Sequence, residues 1–131
     1  MGGRGYHNDV KGYLDSNKRT VEYAKISEIS SDRIDFIRDI TSPKTPVTPE
    51  FSNSANKIYV LLSKDGSRIK SITKYNENHE QVYSIHLDHS HNGEPAHVHA
   101  GIGAGRNQIS LNGDHLKIVD EVSAIFKKWR K

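Results

Sequence analysis

At 131 residues, with 34% hydrophobic content and a mean hydropathy of −0.73, the chain has room for one domain and one modest core. Nineteen lysines and arginines against sixteen aspartates and glutamates give +3 with neutral histidines, too mild a balance to argue for nucleic acid by itself. Cysteine is absent, which excludes disulfides and thiolate metal sites, and no apolar run approaches the roughly 18 residues of a membrane-crossing helix.

Residues 1–19 are glycine-rich, polar and charged without a sustained period, the pattern of a mobile N-terminal arm. No signal-peptide core follows Met1, so a cytoplasmic setting without a membrane is expected. Residues 20–131 are expected to form a single α+β domain. Thr20 to Ile29 fits neither a two-residue nor a helical repeat. Ser31 or Asp32 then predicts the cap of a short helix carrying Ile34, Phe36, Ile37 and Ile40. Pro43, Pro46 and Pro49 forbid its continuation and make 41–56 a proline-rich connection packed on the surface.

The second half alternates more clearly. Lys57 to Leu62 is apolar and β-branched, and Lys64-Asp65-Gly66 supplies a hairpin turn into a partner strand from Ser67 to Tyr75. Asn76 to Glu80 is a polar turn, and Gln81 to Asp88 predicts a third strand. Asn92-Gly93 lies in the following loop, and Ala96 to Ala100 is a fourth short strand. The glycines from Gly101 to Gly105 permit a bend or a close backbone approach before a last extended piece at Gln108 to Leu111. Asp114 is the expected cap of a final helix whose apolar stripe is Leu116, Val119, Val122, Ile125, Phe126 and Trp129. The expected architecture is an antiparallel four- to five-stranded sheet with helices packed on one face. Lys127-Lys128-Trp129-Arg130-Lys131 reads equally as a basic patch or as cations that suit a helix C-terminus.

Five of the eight histidines fall within His86-Leu-Asp-His89-Ser-His91-Asn-Gly-Glu-Pro-Ala-His97-Val-His99. Histidine titrates near neutrality and serves as proton donor, acceptor or metal ligand. Strand alternation sets Tyr83, Ile85 and Leu87 on one side and Ser84, His86 and Asp88 on the other; Ala96, Val98 and Ala100 likewise oppose His97 and His99. If the two strands pair, His86, Asp88, His97 and His99 gather on the face away from the helices, with His89 and His91 at the loop mouth.

That grouping suits acid–base cleavage of RNA, which needs one group to take the 2′-hydroxyl proton, another to protonate the leaving oxygen, and cations for the phosphate. His97 and His99 are the expected pair, oriented by His86 and Asp88, with Arg68, Lys70, Lys74 and Arg106 as phosphate contacts. No cofactor is required by this reading. The alternative is a metal-binding structural module, in which His89 and His91 join His86, His97 and His99 around zinc, nickel or iron. A third reading is a small binder that blocks a host protein, such as a defence nuclease, through its basic C-terminal helix.

The segment Ile85-His-Leu-Asp88-His89-Ser-His91, then Pro95-Ala-His97-Val-His99-Ala-Gly101, resembles small proteins of Gram-positive phages and prophages. Those carry Asp-His-Pro-His, a short loop, then Pro-His-x-His-x-Gly; this chain has Ser90 where proline is usual. Some proteins of that kind are grouped with the barnase/EndoU/colicin/RelE-like nuclease fold. The resemblance spans about residues 57–101 and implies a metal-independent RNase working in a bacterial host cell, with His86, Asp88, His89, His91, His97 and His99 as the positions that transfer.

Overall fold

A computed structural model describes residues 10–14, 20–41, 45–46, 48–49, 52, 54–87, 97–101, 107–109 and 111–130, with backbone only at 10–14, 20, 97 and 107–109. Among the described residues it is an α+β fold with one sheet and one helix. The strands are β1 (Val10–Leu14), β2 (Thr20–Lys25), β3 (Ile34–Asp39), β4 (Ile58–Leu62), β5 (Ile69–Tyr75), β6 (Gln81–His86), β7 (His97–Ala100) and β8 (Asn107–Ile109), followed by helix α1 (Gly113–Arg130). They line up in chain order as an eight-stranded sheet, the six from β2 to β7 forming its body and β1 and β8 its edges. The four to five strands expected from sequence undercount this sheet, and among the described residues a single helix stands where more than one was expected.

Two of the missed strands have specific causes. Val10–Leu14, inside the expected arm, pairs antiparallel with β2 through a register shift between Lys11 and Tyr13. Ile34–Asp39, expected as a helix, is a strand buried at five of six positions. Ser31, expected as a helix cap, and its neighbour Ser30 tie β2 to β3 instead. Ser30 Oγ accepts the Phe36 N–H at 2.9 Å, Ser31 Oγ accepts the Ile34 N–H at 3.2 Å, and the Ile26 N–H donates to the Phe36 carbonyl at 2.7 Å. A strand buried on both faces loses the period-two alternation that would have marked it.

Every neighbouring pair is antiparallel except β3 and β4, which run parallel with Ile34 opposite Ile58 and Ile37 opposite Leu61. Parallel neighbours need a long crossover, usually helical. Here the proline-rich connection supplies it, and its described residues are not helical. Its described residues strap the second face: the Pro49 carbonyl accepts from the Tyr75 hydroxyl and from Gln81 Nε2, and the Ser52 N–H donates to the His79 carbonyl at 3.0 Å. Thr48 Oγ1 lies 3.3 Å from Ser71 Oγ.

The core therefore has two layers. Under α1, buried Ile34, Phe36, Ile58, Val60, Leu62, Ile72, Ile85 and Val98 meet Ile118, Val122 and Phe126, with Phe36 and Phe126 stacked at 6.5 Å. On the opposite face Val21, Tyr23, Ile37, Tyr59, Leu61 and Tyr75 pack together, the Tyr59 and Tyr75 rings 5.0 Å apart. The continuous burial of β4 follows from its place between these layers. The Lys64-Asp65-Gly66 turn is as expected, with Gly66 at φ +75, a conformation that glycine adopts without cost. The Asp65 carboxylate accepts from Ser67 and Ser63 hydroxyls and from the Ser67 N–H, holding it well below the usual carboxylate range.

In α1 the buried residues are His115, Ile118, Val122 and Phe126, while Leu116, expected in the stripe, is half exposed at 51%. The cap is Asn112 rather than Asp114. Its Oδ1 accepts the N–H of Asp114 at 3.0 Å and of His115 at 3.1 Å, which satisfies two of the orphan donors at the helix start. Arg33 grips Glu121 through two bonds of 3.1 and 2.8 Å, an exposed pair worth about 0–1 kcal/mol.

Two substitutions separate the layers. Phe36→Ala empties the helix-side core and should cost about 3–5 kcal/mol, whereas Tyr75→Phe removes only the strap's hydroxyl bond and should cost about 1 kcal/mol, both read from urea denaturation.

Candidate functional site

The site is built by the pairing of β6 and β7. Ser84 lies opposite His99, Ile85 opposite Val98 and His86 opposite His97. The row Ile72, Ile85 and Val98 is fully buried beneath α1, so the alternate positions face away from the helix. Antiparallel pairing leaves diagonal neighbours within reach of ring side chains. His86 and His99 use that reach: their rings meet edge to face with centroids 4.8 Å apart. Both are half-buried.

A buried polar row leads to His99. Tyr59 pairs with Thr73, Thr73 with Ser84, and Ser84 with His99. The Thr73 and Ser84 hydroxyls are 2.8 Å apart and both residues are almost fully buried. This pair satisfies itself, so the polar face costs little despite its burial. Ser71, opposite His86, lies beneath the strap at Thr48.

Of the expected site residues, the structure brings together His86 and His99 and puts His97 at the register position opposite His86. Asp88, His89, His91 and Arg106 lie outside the described residues. Lys70, half-buried, sits at the β5 register shift next to Ser71, and its carbonyl accepts the Leu87 N–H at 2.9 Å. Arg68 and Lys74, expected to meet phosphate at the histidines, belong to the helix side. Lys74 lines a cleft of about 440 Å³ with Tyr83, His115, Arg33 and Glu121, and Arg68 lines another with Phe126, Lys127 and Arg130. Lys74 has the same parity as Ile72, and that parity decides its face. Among the described residues no three potential ligands converge on a metal position.

Two histidines outside the expected cluster have structural work. His79 occupies a left-handed turn at φ 69, with Nδ1 2.9 Å from the Ser52 carbonyl, and so anchors the strap. His115, 5% exposed, completes the start of α1. The Asn112 N–H donates to its Nδ1 at 3.1 Å, reciprocating the Asn112 cap as a Glu does in a capping box. Its ring also sits edge-on to Tyr83 at 4.7 Å. An Asn three residues before a His at a helix start was the available signal. Burial pushes the His115 pKa down, with Asp114 opposing, and burial pushes the Tyr83 hydroxyl up, with Asp114 adding to the rise.

Comparison with protein-family models, curated proteins and solved structures finds no significant match. The functional reading therefore rests on the arrangement in this chain.

Because Nδ1 of His115 accepts a bond, the folded protein holds the ring neutral, while the unfolded chain protonates near pH 6.5. Stability should be full above that pH and fall as acid is added through it toward the lowered folded value. His115→Gln, which retains an acceptor at the same helix position, should flatten that decline in thermal melts taken from about pH 7 to about pH 5.

Proposed function

We propose that the β6–β7 histidine face cleaves RNA by general acid–base catalysis, with His97 and His99 as the reacting pair and His86 as the residue that positions His99. The observation that carries this is the ring contact between His86 and His99 on a face turned away from the helix. Positions two apart on one strand are separated by about 7 Å, room for a phosphodiester between two imidazoles. One imidazole takes the proton from the 2′-hydroxyl as that oxygen attacks phosphorus. The bond from phosphorus to the 5′-oxygen breaks, the other imidazolium gives its proton to that oxygen, and a 2′,3′-cyclic phosphate forms. Asp88, next in sequence after Leu87, is the carboxylate offered to hold an imidazole tautomer, and Lys70 is a cation that directly precedes Ser71, the residue paired with His86. The sequence resemblance to phage and prophage proteins points the same way and suggests a bacterial host cell as the place of action.

One observation favours a second reading. Two imidazoles on a single tetrahedral ion, with nitrogen–zinc bonds of about 2 Å, would have ring centres about 5 Å apart; the His86–His99 separation is 4.8 Å. In that case His86, His97 and His99, with His89 and His91 nearby in sequence, would hold zinc, nickel or iron, and a metal-bound water would be the reactive group.

A quenched fluorescent RNA substrate tests both. His97→Ala and His99→Ala should each lower the rate by about 10²–10⁴-fold, and His86→Ala by less. Cleavage that survives exhaustive chelation supports the metal-free pair; cleavage lost to chelator and restored by zinc assigns the site to metal. Undiminished cleavage by the His97→Ala, His99→Ala double variant overturns the proposal.

A further inference from the structure

The helix side of the same sheet end carries a second feature, a cleft of about 570 Å³ between the start of β5, the residue after β6 and the last turns of α1. Ile69, Leu87 and Phe126 form an apolar floor. Arg68, Lys127 and Arg130 stand around it with Ser67 and Ser123, and among the described residues no carboxylate side chain lines it. Its volume is in the usual range of ligand sites, and its make-up, an apolar floor with a few polar groups, is the usual one. Lysines near a helix C-terminus need no ligand to explain them. Arg68 is different, because it comes from the β4–β5 hairpin and still meets Lys127 and Arg130 at one opening.

The geometry points to this cleft as the site that holds single-stranded RNA next to the bond being cut, a role that rests on the RNA-cleaving reading of His97 and His99. Leu87 on its floor directly follows His86, so cleft and histidine row occupy opposite faces of the sheet at one strand end. A strand passing over that end places a base on the apolar floor or against a guanidinium and its phosphates on the three cations, while the next phosphodiester reaches the imidazoles. Bases of unpaired RNA stack on apolar and guanidinium surfaces in this way, and duplex RNA does not offer them. Lys128 lies in the same helical turn but does not line the cleft, which provides an internal control.

The experiment uses the full-length His97→Ala, His99→Ala protein, which cannot consume the probe, and a short labelled single-stranded RNA followed by fluorescence anisotropy. Lys127→Gln with Arg130→Gln should weaken binding about tenfold or more and lower the salt dependence by roughly 0.7 per lost phosphate contact, whereas Lys128→Gln should change affinity less than about twofold. Leu87→Asp should weaken binding as well. Lys127, Lys128 and Arg130 are exposed and Leu87 is part-buried, and circular dichroism verifies that each variant keeps its fold. Equal losses for Lys128→Gln and the cleft pair would show diffuse attraction and overturn the site. Equally tight binding of an oligoglutamate peptide through the same cations would overturn its assignment to RNA. If the unsubstituted protein binds RNA through the cleft but never cleaves it, the catalytic reading fails and the cleft stands. If it cleaves RNA while the cleft variants bind normally, the cleft alone fails.

Discussion

The pleat of β5, β6 and β7 is held in register by Ile72, Ile85 and Val98, three β-branched residues side by side with no exposed surface beneath α1. A slip of one residue in β6 or β7 would turn this row outward and drive histidines into the helix-side core. Burying imidazoles among Val60, Leu62 and Val122 would leave their polar atoms without partners, at a cost of about 1–3 kcal/mol each. The apolar row and the histidine row are thus one constraint seen from two sides. Helix α1 packs on the face opposite His86 and His99, and through Val122 and Phe126 it holds the apolar row that sets their register. The edge contact of His86 with His99 is a consequence of that register.

The parallel step between β3 and β4 gives the second face its cover. Antiparallel sheets commonly leave one face in water, but parallel strands are generally buried on both. The described residues of the proline-rich connection do this with hydrogen bonds: Pro49 to Tyr75 and Gln81, Ser52 to His79, Thr48 to Ser71. They tie to β5 and β6, the strands that lead to the histidines. Thr73 and Ser84 can therefore be buried as a mutually bonded pair beside a titratable group. At the other end of this layer Asp35, 2% exposed, lies 3.2 Å from Lys57 and 4.0 Å from Lys25, so its charge is paired within the protein. Removing one partner of such a buried set costs more than the pair contributes, which makes Lys57 a structural cation rather than a spare one.

The sequence was legible where one face is buried and the other is not. β6 and β7 alternate cleanly, so the side on which His86 and His99 meet followed from period two alone. The hairpin at Asp65-Gly66 and the polar turn at Asn76 to Glu80 carried their own turn chemistry. β3 failed because Asp35 and Asp39 are buried among apolar neighbours, and because Ser30 and Ser31 serve a strand edge as readily as a helix cap. Asn112 was passed over for Asp114, although Asn is as good a cap and leaves Asp114 in the first turn where its charge suits the helix dipole. Arg68 and Lys74 were assigned by proximity in sequence. Lys74 could have been placed by the alternation that sorted the histidines; Arg68 could not, since a register shift at the start of β5 breaks the count.

That misplacement bears on the chemistry. Phosphoryl transfer depends on positive charge near the reacting phosphate. Among the described residues, Arg68, Lys74, Lys127 and Arg130 line clefts on the helix side, leaving Lys70 as the cation of β5 next to the histidine row. Under the proposed function, stabilisation of the phosphate would fall to an imidazolium and its immediate neighbours, while the helix-side cations would act at a distance by holding adjoining phosphates. Binding and chemistry would then lie on opposite faces of one sheet. Such a division gives the two sets of residues different signatures: charges in the cleft govern affinity and its dependence on salt, whereas the histidines govern the rate once RNA is bound. Under the proposed function, a substrate carrying phosphates to both faces of the same strand end would make use of both the histidine row and the cations around Phe126.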